Sequence, residues 1–135
     1  MMDLLLDTHV LLWWDQDDGQ LAHAAREAIA DPENRVFVSA ATPWEIAIKA
    51  RKGKLRFKGS PVALIKANGF LPLPIDPVHG EAAGLLEWSH PDPFDRVLVA
   101  QAQHEKLVLT HADPAIREFG DVTQLWARHP QVRKP

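Results

Sequence analysis

Short runs of apolar residues alternate with longer helical patterns along the chain. LLL at 4–6, VFV at 36–38 and LVLT at 107–110 are continuous runs, as expected of strands that are buried on both faces. Weaker strand signals lie at 71–75, where prolines interrupt the pattern, and at 122–125. Helical patterns separate these runs and cover 10–14, 22–30, 42–52, 61–67, 77–88, 93–106 and 114–119.

This alternation predicts an α/β fold, in which right-handed crossovers build a mainly parallel sheet with helices on both faces. The 135 residues contain no linker, repeat or low-complexity segment, so we expect one domain over 1–135. In open sheets of this type, ligands bind beyond the carboxyl ends of the strands. Residues directly after the strands are therefore the first candidates for chemistry.

Four acids stand out by position, three of them after strands. Asp7 ends the first apolar run, Glu45 follows the second strand, Asp95 lies in the first turn of a helix, and Asp113 follows LVLT. A carboxylate that ends a run of leucines is costly to bury without a partner. If the strand ends meet at one edge of the sheet, the four carboxylates converge there.

Helix capping is the alternative explanation for three of these acids. Thr42-Pro43-Trp44-Glu45 matches a capping box, in which Glu45 returns a hydrogen bond to the amide of Thr42. Asp92 fits an N-cap before Pro93, with Asp95 favoured by the helix dipole, and Asp113 fits an N-cap before Pro114. Taken singly, each acid is explained at least as well by structure as by catalysis.

Clustered carboxylates repel one another, which raises their pKa values unless a cation lies among them. Oxygen ligands favour Mg²⁺, with Mn²⁺ as the alternative, and the absence of cysteine excludes thiolate metal sites, disulfides and cysteine nucleophiles. Such an ion can polarise a phosphoryl oxygen and activate water. The pattern therefore favours phosphodiester hydrolysis.

Charge and hydropathy limit the partners and the location. The formal net charge is −3, but residues 49–58, KARKGKLRFK, contain six basic residues and no acid. We call this segment the basic run. It fits either a surface that binds RNA or a helix end exposed to solvent. Its candidate contacts for RNA or for a protein partner are Lys49, Arg51, Lys52 and Lys54. The seven histidines show no paired zinc-ligand spacing. With no leader and no apolar stretch of membrane-spanning length, we expect a cytoplasmic protein without membrane contact.

Four stretches together resemble the PIN-domain ribonucleases, in particular the VapC-type toxins of toxin–antitoxin pairs. They are LLLDTHVLLWW, VFVSAATPWEIAIKARKGKL, HPDPFDRVLVAQA and LVLTHADPAIREFG. They occur in the family's order and cover nearly the whole chain. The resemblance implies a PIN-like α/β/α sandwich, a Mg²⁺-dependent endoribonuclease that cleaves RNA, a homodimer, and a cognate antitoxin that covers the active groove.

The resemblance also assigns roles by position. Asp7, Glu45, Asp95 and Asp113 match the four acids that act as metal ligands and catalytic residues in the family. Supporting positions around the metal fall on Thr8, Ser39, Asp92 and Arg96, of which Arg96 is expected to orient Asp95 or to contact a phosphate. One departure is that two residues separate Thr110 from Asp113 where the family commonly has one.

Two other functions compete. LLLDTH weakly resembles the aspartyl nucleophile motif of haloacid-dehalogenase-type phosphatases, although His9 occupies the place of that family's second aspartate. Alternatively, the acids are only helix caps, and the chain is a non-catalytic module that binds RNA or a protein.

Overall fold

A computed structural model of the chain describes residues 1–130, so the last five residues of the predicted 1–135 domain lie outside it. The strands are β1 (Asp3–Leu6), β2 (Arg35–Ser39), β3 (Leu71–Leu73), β4 (Val108–His111) and β5 (Gln124–Trp126). The helices are α1 (Thr8–Asp15), α2 (His23–Ala30), α3 (Ala41–Arg51), α4 (Pro61–Ala67), α5 (Pro77–Leu85), α6 (Pro93–Glu105) and α7 (Pro114–Phe119). The predicted α/β class, with strands and helices in alternation, is confirmed.

The five strands form one sheet in the order β3-β2-β1-β4-β5, and each neighbouring pair is parallel. The three leucines of β1 explain why the sheet is covered on both faces. Leu4 and Leu6 pack into a core with residues of α1, α2, α3 and α4, whereas Leu5 packs with residues of α6 and α7 on the opposite face. Burying each leucine completely contributes about 1.5–3 kcal/mol, so this short strand anchors two cores.

The strand order reverses direction at β1, which places the topological switch point between β1 and β4. From β1 the chain adds β2 and β3 on one side, and later adds β4 and β5 on the other side. Crevices at the carboxyl edge of such a switch point are the usual ligand sites of parallel sheets. The segments after β1, β2 and β4 all leave the sheet at this edge.

Several predicted helix boundaries differ from the observed ones, and the first helix begins at Thr8, two residues earlier than predicted. The third helix begins at Ala41, before Thr42, because the hydroxyl of Ser39 accepts a hydrogen bond from the Ala41 amide at 3.0 Å and starts the helix earlier. The fifth helix ends at Leu85 and not at Trp88. Among residues 1–130, none of the helices combines the length and the hydrophobicity that a membrane span requires.

Candidate metal-dependent nuclease site

Asp7 lies where β1 passes into α1, and it is the N-cap of that helix. Its Oδ1 accepts a hydrogen bond from the Val10 amide at 2.9 Å, while its own amide donates to the carbonyl of Thr110 at 3.0 Å. The side chain is only 6% exposed. Burial raises the pKa of Asp7 to about 7, and the nearby charges of Asp95 and Glu45 contribute to the rise.

Glu45 lies in α3, and both of its carboxylate oxygens have partners. The hydroxyl of Thr8 donates to Oε1 at 2.6 Å, and the ammonium of Lys49, one turn further along the helix, lies 2.5 Å from Oε2. The side chain is buried. Glu45 is therefore held by a contact from α1 and by an ion pair within its own helix.

The predicted capping box of Thr42 and Glu45 is wrong. Because α3 begins at Ala41, Thr42 lies inside the first turn, and its buried hydroxyl has no hydrogen-bond partner among the described residues. Glu45 turns instead to Thr8, a residue 37 positions away in the sequence. Tertiary contacts have thus replaced the local cap.

Asp95 lies in the first turn of α6, directly after the helix cap. Oδ1 of Asp92 accepts hydrogen bonds from the amides of Phe94 at 2.9 Å and Asp95 at 3.4 Å, so Asp92 is the N-cap that the pattern predicts. Oδ2 of Asp95 lies 2.7 Å from Nε2 of His90. Burial raises the pKa of Asp95 to about 7, the hydrogen bond from His90 opposes this rise, and the charges of Asp92 and Asp113 add to it.

Asp113 follows β4 and is the N-cap of α7, where its Oδ1 accepts from the Ala115 amide at 2.8 Å. Its own amide donates to Nδ1 of the buried His111 at 3.0 Å. Burial lowers the pKa of His111, which favours the neutral ring. With Nδ1 as acceptor, Nε2 carries the hydrogen and donates to Oε1 of Gln124 at 2.7 Å. His111 therefore positions the backbone of Asp113 and is not directed at the acids.

The four acids are linked pair by pair at the carboxyl edge of the sheet. Ligand-capable atoms of His90, Asp95 and Asp113 all lie within 4.8 Å of one another, and the charges of Asp95 and Glu45 both act on Asp7. We call Asp7, Glu45, Asp95 and Asp113 the acidic cluster. Its donors are carboxylate oxygens in a partly buried setting, and they carry more negative charge than Lys49 neutralises. This donor set fits a hard divalent cation such as Mg²⁺ or Mn²⁺.

Of the predicted supporting residues, Thr8 and Asp92 contact the acidic cluster directly, as described above. Ser39 is fully buried at the end of β2, where it starts α3 and so sets the position of Glu45. Lys49 belongs to the cluster's own ion pair. The other three predicted contacts of the basic run are exposed to solvent beyond it; they are Arg51, Lys52 and Lys54.

Arg96 has a different role from the predicted one. Its guanidinium donates five hydrogen bonds, all to backbone carbonyls. The acceptors are Ala83, Gly84, Leu86, Trp88 and His90. Because a guanidinium has five N–H donors, none remains for a direct bond to Asp95 or to a phosphate. The expectation that Arg96 orients Asp95 directly is therefore corrected.

His90 is the residue at this edge that the sequence did not single out. Its ring stacks at a tilt on Trp88, with 4.7 Å between the ring centroids, and it contacts Asp95. Among seven histidines without metal-ligand spacing, the available signal was its position just before Asp92 and Asp95. This position in the sequence indicates a role only in the folded chain, where residues 86–90 lie against α6.

Comparisons with known proteins agree with this geometry. Residues 4–122 match the family model of the PIN domain. No curated protein sequence matches the chain significantly. Three similar solved structures are VapBC2 from Rickettsia felis bound to a DNA fragment from their promoter, VapBC-1 from nontypeable Haemophilus influenzae, and VapBC-5 from Mycobacterium tuberculosis.

The structural similarity extends over nearly the whole of both chains. The R. felis structure has a TM-score of 0.65 and 9% identity, with 93% of this chain and 99% of that chain covered. The H. influenzae structure has a TM-score of 0.65 and 18% identity, with 93% of this chain and 98% of that chain covered. The M. tuberculosis structure has a TM-score of 0.62 and 16% identity, with 95% of this chain and 99% of that chain covered. At these sequence identities, the similarity to the solved structures shows only a shared fold. Membership of a family is shown by the match to the family model. The chain, which folds as these structures do and matches the family model over 4–122, belongs to the PIN domain family.

Proposed function

We propose that this protein is a divalent-metal-dependent endoribonuclease and the toxin of a type II toxin–antitoxin pair. The observation that carries the proposal is a set of linked carboxylates at one edge of a PIN-domain sheet, in which Asp95 lies close to Asp113 and the charges of Asp95 and Glu45 both act on the buried Asp7. Helix capping accounts for the positions of Asp7, Asp92 and Asp113, but it does not account for Glu45, nor for the burial of Asp7 beside the charges of Asp95 and Glu45.

The acidic cluster would hold the ion, with Mg²⁺ favoured and Mn²⁺ as the alternative. A bound divalent cation polarises a phosphoryl oxygen and lowers the pKa of a water molecule, which is the chemistry that phosphodiester hydrolysis requires. The chain's own residues prepare the site. Thr8 fixes the orientation of Glu45, Lys49 offsets part of the negative charge that would otherwise repel a polyanionic substrate, and the caps at α6 and α7 hold Asp95 and Asp113 in position.

RNA is the proposed substrate because the basic run extends from the acidic cluster into solvent. Lys49 pairs with Glu45, and the exposed cations that follow it are placed to track a phosphate backbone. Binding through these residues should weaken as salt concentration rises, since each phosphate contact releases counterions.

A cognate antitoxin is proposed as the protein partner, supported by the likeness to VapBC structures. A homodimer is the second proposed assembly. Trp44 is 59% exposed and packs edge-to-face on Phe94, beside a mainly apolar hollow of about 330 Å³ lined by Ile75 and Ala83. An exposed apolar surface of this kind is typical of a protein interface.

The test compares the purified chain with Asp7→Asn and Asp95→Asn variants. We expect divalent-metal-dependent cleavage of RNA that falls at least about 100-fold in each variant, because each substitution removes a charged ligand while keeping the side-chain shape. Glu33→Gln, an exposed acid in the turn before β2, is the matched control and should cleave normally. Full cleavage by both variants would refute the assignment. Absence of both cleavage and acid-dependent Mn²⁺ binding would favour the non-catalytic binding module.

A further inference from the structure

We propose that His90 is a positioning residue of the acidic cluster, which fixes the carboxylate of Asp95 by donating a hydrogen bond from Nε2 to Oδ2. This proposal rests on the proposed function, because the orientation of Asp95 matters only if the cluster binds an ion. It adds to the four acids a residue whose role is to hold one of them.

The geometry of the contact is that of a hydrogen bond. Nε2 of His90 and Oδ2 of Asp95 are 2.7 Å apart, and both side chains are mostly shielded from solvent, with 24% and 18% exposure. A carboxylate that binds a cation is ionised and only accepts hydrogen bonds, so in the metal-bound state Nε2 carries the hydrogen. A nitrogen that carries a hydrogen is not a metal ligand, and Oδ1 of Asp95 is left for the ion. Hydrogen-bond donors of this kind orient metal-binding carboxylates in many proteins.

The segment that carries His90 has no regular secondary structure, yet it is firmly held. Nη1 of Arg96 donates to the carbonyls of Trp88 at 2.6 Å and His90 at 3.1 Å, and Nη2 donates to that of Leu86 at 2.9 Å. Arg96 directly follows Asp95 in α6, so the helix that presents the acid also fixes the backbone of the residue that orients it.

Aromatic packing restrains the His90 ring itself. The ring lies against Trp88, and Trp88 packs in turn on Phe119 of α7 with 4.9 Å between centroids. Phe119 belongs to the helix that Asp113 caps. The ring is thus supported through Trp88 from α7, the helix that Asp113 caps, while Arg96 of α6 holds the backbone beneath it.

Two substitutions at His90 separate hydrogen bonding from packing. His90→Phe keeps a ring against Trp88 but has no donor, whereas His90→Gln keeps a donor but has no ring. His23, an exposed histidine paired with Glu27 on α2, supplies the control His23→Ala. The measurement is the Kd for Mn²⁺ by isothermal titration calorimetry, together with the melting temperature of each variant.

We expect His90→Phe to weaken Mn²⁺ binding by about 10- to 100-fold, which is the usual effect of removing a donor to a metal ligand. His90→Gln should recover part of the loss, and His23→Ala should bind like the unsubstituted protein. If His90 only packs, the order reverses, and His90→Phe binds normally; that result overturns the proposal.

A second measurement tests direct coordination. In long-range ¹H–¹⁵N spectra of the Mg²⁺-saturated protein, Nε2 of His90 should keep its hydrogen, and loss of this hydrogen on addition of Mg²⁺ would overturn the donor role in favour of a ligand role. Failure of the proposed function looks different, because the unsubstituted chain would then bind no Mn²⁺ and cleave no RNA. A chain that binds and cleaves normally with His90→Phe contradicts the positioning role alone.

Discussion

Two parts of the acidic cluster differ in how their charge is balanced. Glu45 has the ammonium of Lys49 at 2.5 Å and a hydroxyl at 2.6 Å, both fixed by helices. Asp7 and Asp95 are also shielded, but their described hydrogen bonds come from the Val10 amide and from His90, and the pKa of each is raised to about 7.

The difference indicates which carboxylates of the acidic cluster a bound metal ion would stabilise most. Burial without a cation is unfavourable for a carboxylate, and among residues 1–130 Glu45 is the member of the acidic cluster that forms an ion pair with a lysine or arginine. At neutral pH, Asp7 and Asp95 are therefore neutralised in part by protons, and a divalent cation that displaces those protons would stabilise this part most.

The largest expected effect comes from removing the charge of Asp7. Asp7→Asn should raise the free energy of unfolding of the metal-free protein at pH 8 by up to about 4 kcal/mol, since a pKa raised from 3.8 to about 7 corresponds to about 1.4 kcal/mol per pH unit. The amide oxygen can still accept from Val10 and cap α1. Urea unfolding in the presence of a chelator measures the change.

Glu45→Gln is the contrasting substitution, since it breaks the ion pair with Lys49 and should lower the free energy of unfolding under the same conditions. A stability change of the same sign in both variants would mean that the two parts of the cluster are not balanced differently.

The pH dependence should separate the two parts further. The folded state binds a proton on Asp7 more tightly than the unfolded state does. The contribution of this proton to the free energy of unfolding is therefore fully present below about pH 4 and is lost as the pH rises through about 7. Relative to Asp7→Asn, the metal-free protein should lose about 3 kcal/mol across that range. Because metal ligands must be deprotonated, stabilisation by Mn²⁺ should grow over the same range. Parallel stability curves for the two proteins would contradict the raised pKa.

Replacing Lys49 tests whether a bound metal ion can take over its role beside Glu45. Lys49→Met leaves Glu45 without its ammonium partner and should lower the free energy of unfolding of the metal-free protein by about 1 kcal/mol, a modest value because Lys49 is partly exposed and the pair is screened. With saturating Mn²⁺, the difference should shrink, since the ion would then neutralise the same carboxylate. Urea unfolding with and without Mn²⁺ gives the comparison, and Lys58→Met, at the exposed end of the basic run, is its control.

The sequence predicted the three central strands well because each is a short, continuous apolar run that alternates with longer helical patterns, whereas β3 and β5 at the sheet edges gave only weak signals. It also predicted that Asp7, Glu45 and Asp113 follow strands, and these strands are neighbours in one parallel sheet. The catalytic and metal-binding roles of the four acids stay predictions. What the sequence did not predict depends on distant contacts. The backbone of His90 is held by a hydrogen bond from Arg96 to its carbonyl. The carboxylate of Glu45 is held by the hydroxyl of Thr8, which lies on another helix.

The smallest effect comes from Thr42, which lies on the same helix as Glu45 without holding it. Its hydroxyl is fully buried and has no partner among the described residues, so it costs desolvation energy and returns no hydrogen bond. Thr42→Val keeps the branched shape and should raise the free energy of unfolding by about 0.5–1 kcal/mol, with RNA cleavage unchanged. Thr8→Val removes the hydroxyl that does contact Glu45, and it should reduce both stability and cleavage. If Thr42→Val instead impaired cleavage as Thr8→Val does, Glu45 would depend on its local first turn, and the assignment of its support to α1 and Lys49 would be wrong.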